Sequence, residues 1–151
     1  MAELFELVKG YETFDQNLDE GPYPYISASN FNNGITSYVN KYSYDSGNEP
    51  VITVSGFGSS GYCFVQTGKF AIRGHGSIML IKLKQDYEYL KPALLSLAFA
   101  MTETFRLKYN WNTSLTNDRL MNESIPNIPY VRDPRTNEWK IDVGALRYMY
   151  M

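Results

Sequence analysis

The chain has 151 residues, with 14 lysines and arginines against 16 acids and a formal net charge of -2. That length suits one domain, expected to span residues 1–151, and is enough to bury a core without staples; the lone cysteine, Cys63, excludes an internal disulfide and a multi-cysteine zinc site. An acidic N-terminal stretch in place of a basic one, and no apolar run near the ~20 residues of a membrane span, argue against a signal peptide or membrane insertion and for a cytoplasmic globular protein.

Residues 1–85 read as strands and turns. Leu4–Val8 alternates weakly, and Tyr25–Ser29 predicts a short strand leading into the polar turn Asn30–Gly34, where Asn33-Gly34 readily takes positive φ. Strands follow at Ile35–Val39, Val51–Ser55, Tyr62–Gln66 and Phe70–Arg73, separated by turns at Asp45–Pro50 and by the glycine and serine loop Gly56–Gly61. Ile78–Leu83 is apolar at nearly every position, as a strand buried on both faces requires. The period then changes. Tyr89–Leu107 predicts one long helix with Pro92 in its first turn. Leu94, Leu97, Ala98, Met101 and Phe105 form an apolar stripe that Leu95 and Phe99 widen, so cover on most sides is expected. Thr116 suits the cap of a short helix over Asn117–Asn122, Ser124–Tyr130 reads as an extended edge, and a final helix starts at Val143. The predicted class is α+β, strand-rich in the N-terminal two thirds, with one long and one or two short helices after it.

Patterns that would carry catalysis fall short. Gly56–Gly61 lacks the Lys-Ser/Thr ending of a phosphate loop and precedes a strand, not a helix. Asn127-Ile128-Pro129-Tyr130 is only partly like a methyltransferase motif, and Asp133 with Glu138-Trp139-Lys140 is too closely spaced for a nuclease metal site. His75 is the sole histidine, lies between two glycines, and has no sequence partner that would orient it as a base; Cys63 reads as a core thiol. No catalytic residue, metal or cofactor is expected. Charge is uneven along the chain, with seven bases against three acids over residues 69–108. Tyrosine is abundant at 13 residues, as in recognition surfaces or an aromatic-rich sheet core.

Four segments in order carry a resemblance: GPYPYISAS and FNNGITSYV across Gly21–Val39, VITVSGFGSSGYCFVQ at Val51–Gln66, FAIRGHGSIMLIKLK at Phe70–Lys84, and, after the helix, YNWNTSLTNDRLMNESIPNIP at Tyr109–Pro129. Together they are similar to the target recognition domain of type I restriction–modification specificity subunits and of related fused type II systems, over roughly residues 4–148. The resemblance implies sequence-specific reading of double-stranded DNA with no catalysis of its own. Partner modification subunits would methylate adenine and a restriction subunit would cleave. WKIDVGALRYMYM at the C-terminus resembles the start of the family's long spacer helix, which would be missing here or only begun at 143–151, and pairing with a second copy is one arrangement this leaves open.

Asn and Gln pair with adenine edges, Arg and Lys with guanine. Candidate base readers on the turns are Ser27, Ser29, Asn30, Asn32, Asn33, Ser59, Ser60, Arg73, His75, Asn112, Thr113 and Ser114. Lys41, Lys69, Lys82, Lys84, Lys108 and Arg119 are candidates for phosphate contacts, which position without specifying. The plain alternative for each is an ordinary turn residue or a solvated strand face. The alternative for the whole chain is a protein-interaction module or decoy that keeps the fold and no longer binds DNA.

Overall fold

The computed structural model describes residues 1–15, 17–75, 77–110 and 113–149. Its strands are β1 (Phe5–Leu7), β2 (Glu20–Ile26), β3 (Ile35–Val39), β4 (Tyr44–Asp45), β5 (Val51–Ser55), β6 (Cys63–Gln66), β7 (Lys69–Ile72), β8 (Ile78–Leu83), β9 (Tyr130–Arg132) and β10 (Trp139–Ile141). The helices are α1 (Leu94–Lys108), α2 (Asn117–Asn122) and α3 (Val143–Met149). The fold is α+β, as predicted.

One antiparallel sheet runs in the order β1-β8-β5-β6, and a second in the order β3-β2-β7-β4, with β2 and β7 parallel. The first sheet is the middle layer. Because neighbouring side chains of a strand point to opposite faces, Ile52, Val54, Met79, Ile81 and Leu83 pack with Leu94, Leu97, Met101 and Phe105 of α1, while Val51, Ile78 and Leu80 meet Ile26, Phe70 and Ile72 of the second sheet. β5 and most of β8 are therefore buried on both faces, which explains why their sequences scarcely alternate.

Several boundaries differ from expectation. β2 starts at Glu20, not Tyr25, and takes in Pro22 and Pro24. Prolines are tolerated there because β7 pairs with β2 only at Tyr25 and Ile26, leaving the earlier part of the strand on an edge. The long helix is preceded by a 3-10 segment, Gln85–Ala93, which holds Pro92, so α-helical bonding begins only at Leu94. Pro92 has no N–H to donate, which delays regular hydrogen bonding. Leu95 and Phe99 are 74% and 52% exposed, so α1 is covered on one side and not on most. Residues 124–129 hold a turn, and the edge strand begins only at Tyr130. Cys63 is buried, and that burial pushes its thiol pKa up, as suits a core residue. The Thr116 hydroxyl accepts the Arg119 N–H and caps α2. Asp133 and Lys140 face each other across the β9–β10 hairpin as an ion pair of 3.4 Å.

Beyond α1, Glu123 ties three chain segments together. Its carbonyl accepts from the Met1 amino group at 2.6 Å, and its Oε1 accepts from Tyr109 at 2.5 Å and from Lys108 Nζ at 2.6 Å. Burial pushes this carboxyl up, but the hydrogen bonds from Lys108 and Tyr109 outweigh it and hold the group below its ordinary range. A lowered folded pKa contributes stability above the unfolded value near 4.3, and that contribution is lost as pH falls through the folded value. The melting-temperature advantage of the wild type over Glu123→Gln is accordingly expected to be full at neutral pH, to start shrinking below about pH 4, and to be gone once pH has fallen past the lowered folded value. The Tyr109 phenol, pushed up to about 12 by burial and by Glu123, acts in the other direction, so stability drawn from it fades from about pH 10 upward.

Candidate nucleic-acid interface

Strand directions bring several loops to one end of the molecule. Ile26 of β2 lies beside Ile72 of the parallel β7, and Ser55 at the end of β5 faces Ile78 at the start of β8. The segments leaving β2, β5 and β7 therefore share an edge, and main-chain bonds staple them together. Arg73 N–H donates to the Ile26 carbonyl at 2.9 Å, Gly56 N–H to Ser77 at 2.7 Å, and Leu115 N–H to Gly56 at 2.7 Å. Phe14 N–H donates to Ile72, and Gly74 N–H returns to the Phe14 carbonyl. A loop fixed in this way presents its side chains from a rigid base, the arrangement recognition requires.

Arg73 stands at the centre of that edge. It is exposed and lines three hollows at once. One, of about 530 Å³, is bounded by Ser27, Thr36, Phe57 and His75. Another, of about 370 Å³, is bounded by Lys9, Thr13, Phe57, Ser114 and Asn117. The third, of about 240 Å³, contains Asp15, Asn17 and Tyr25. His75 takes a left-handed conformation (φ 66) that sends its Nε2 to within 3.3 Å of Asp15 Oδ1. Gly74 makes that approach possible, since a Cβ there would sit 2.0 Å from the same oxygen. Burial pushes the Tyr25 phenol up, Arg73 opposing and Asp15 adding; it stays protonated and donates to the Phe14 carbonyl at 2.5 Å, fixing the segment next to Arg73. Ser27 is buried, and its hydroxyl and that of the exposed Thr36 bond each other at 2.8 Å, so Ser27 holds Thr36 at the rim and does not face outward as a base reader would.

The predicted residues divide. Arg73, His75 and Ser27 meet in one hollow, and Ser114 joins them through the hollow that Arg73 and Phe57 also line. Thr113 lies close by, its N–H bonded back to Asn110. Asn112 lies outside the described residues. The Asn30–Gly34 turn curls instead towards β6 and α1, where Asn30 and Asn33 border a separate hollow with Tyr62, Leu95 and Phe99. Asn32 and Asn33 both have left-handed backbones. The Asn33 amide donates to Val65 and Gln66, and the Asn32 amide to Ile35, so these two side chains hold the turn in place. Ser29 is buried and bonds Phe31. Ser60 is also buried, bonding Gly56, and the Ser59 carbonyl accepts from Ser55.

The cations divide as well. Lys82 pairs with Glu6 at 3.6 Å and Lys108 with Glu123, while the Arg119 guanidinium donates to the Ser114 carbonyl at 2.6 Å and steadies that loop. Lys69 lies over the Tyr42 ring, and Lys84, at the end of β8, donates its N–H to Leu4. Lys41 sits 6.0 Å from the centre of the Phe14 ring, and Phe14 bridges to Arg73. Phe57, Lys9 and Thr13 join this edge without a signal in the sequence: Phe57 stands in a plain glycine turn, and Lys9 and Thr13 lie in a stretch whose character is otherwise acidic.

Among the described residues no group of three or more His, Cys, Asp or Glu is placed to hold a metal, and no helix is long and apolar enough to cross a membrane. Searches of curated proteins and of solved structures find no match. The family model of the type I restriction modification DNA specificity domain matches residues 1–141, and so takes in every loop of this edge. The chain belongs to that family of specificity domains, whose part in restriction–modification is target recognition and not catalysis.

Proposed function

We propose that this chain reads a specific sequence in double-stranded DNA, and that in doing so it directs a partner adenine methyltransferase, with its restriction subunit, to that site. The observation that carries the reading is Arg73. It is an exposed guanidinium at the junction of hollows edged by hydroxyls and His75, mounted on loops that main-chain bonds hold rigid. Such a fork fits the O6 and N7 acceptors of guanine in the major groove. Thr36, His75 and Ser114 would supply the neighbouring polar contacts, while Lys9 and Lys41 flank the edge as phosphate contacts. The net charge of -2 is compatible with this because the local field governs encounter, and partner subunits would add positive surface.

Selection from randomised duplexes followed by anisotropy, with the chain alone and with a methyltransferase subunit, tests the proposal. One enriched sequence is expected, and absence of enrichment in both arms would overturn it. Lys9→Ala and Lys41→Ala are each expected to weaken binding to all sequences alike and to lower the salt slope by about one. A second reading, a protein-interaction module without DNA affinity, draws on the exposed apolar side of α1 formed by Leu95, Phe99 and Leu107. It requires partner binding that persists at high salt with no duplex selected.

A further inference from the structure

Phe57 is a large apolar side chain that is 44% exposed on a loop built to hold it still. Gly56, just before it, is bonded on both sides, donating to Ser77 and accepting from Leu115 and from the Ser60 hydroxyl. Just after it, the Gly58 carbonyl accepts from Ser60 N–H at 2.9 Å, and Gly61 N–H closes the loop onto Ser55 at 2.8 Å. Phe57 lines two of the three hollows that Arg73 lines, so an apolar side chain and an arginine border the same two hollows on one edge. Around them the edge is polar: Thr36, His75 and Ser114.

This pairing has a counterpart in the major groove. Thymine alone among the four bases shows an apolar group there, its C5-methyl, whereas guanine shows the two acceptors that suit an arginine. Resting on the DNA-reading role proposed above, we infer that Phe57 is a specificity-determining residue that recognises a thymine by its methyl group, within one base pair of the guanine read by Arg73.

The test replaces each thymine of the selected duplex, one at a time, by uracil, which removes only the methyl. The wild-type chain is expected to bind one of these duplexes about fourfold more weakly, the effect of withdrawing one methyl from an apolar contact. That position should lie next to the base pair relaxed by Arg73→Ala, and Phe57→Ala should bind its thymine and uracil forms equally. Phe57→Leu, which keeps an apolar contact, should retain part of the preference. A uracil series without effect on the wild type, a preference that persists in Phe57→Ala, or a Phe57→Ala loss equal on every duplex would overturn the inference while leaving Arg73-dependent reading intact. Failure to select any duplex would overturn the DNA-reading role, and this inference with it.

Discussion

Arg73→Ala is expected to relax the preference at a single base pair by about 1–3 kcal/mol, roughly 5- to 150-fold, with other positions of the selected duplex unchanged. The expectation follows from its place. Its backbone is fixed by the bond to Ile26, while its side chain is exposed among three hollows. Arg73→Lys keeps the charge but loses the fork that engages two acceptors together, so it should bind without recovering the preference. Competition titrations of each variant against single-base-pair variants of the selected duplex measure this. A uniform loss across all of them would mean that Arg73 touches phosphate only.

Gly61→Ala is expected to destabilise the chain more than any change on the recognition edge. Gly61 has φ +84, and a Cβ there would sit 2.7 Å from Arg106 N and 2.7 Å from the Phe105 carbonyl carbon, both backbone atoms of α1. Left-handed strain and overpacking add about 1–3 kcal/mol each, which for a chain of this size lowers the melting temperature by about 5–20 °C. The loop carrying Phe57 lies directly on α1 at this point, so DNA selectivity should decline with the fold in the same variant. Thermal melts and binding on one preparation would show both; an unchanged melting temperature would mean that the close packing of loop and helix is absent.

Some of this was legible in the residues and some was not. The limits of β3 and β5 are legible to the residue, because Gly34, Asn40, Pro50 and Gly56 bound them, and those of β8 because its nearly unbroken apolar run stops at Ser77 and Lys84. β4, β9 and β10, at two or three residues each, are too short for any periodic pattern, and their pairing depends on where distant chain arrives. The stripe on α1 is visible in the sequence, but periodicity cannot say that Leu95 stays exposed, since that depends on which neighbours the topology supplies. At the site, Arg73 and His75 could be picked out as donors on a turn. Asn33 could be recognised as a turn residue, but not as one whose amide is used up on Val65 and Gln66, contacts 32 and 33 residues away in sequence. Phe57 was hidden because an aromatic within a glycine loop gives no sign of whether it is exposed.

Amide chemical shifts of the chain, followed while the selected duplex is added, test most directly whether the edge around Arg73 is the reading surface. Changes concentrated at Ser27, Phe57, Arg73, His75 and Ser114, with the outer side of α1 silent, are the expected result. Changes confined to Leu95 and Phe99, or spread evenly over the surface, would contradict it.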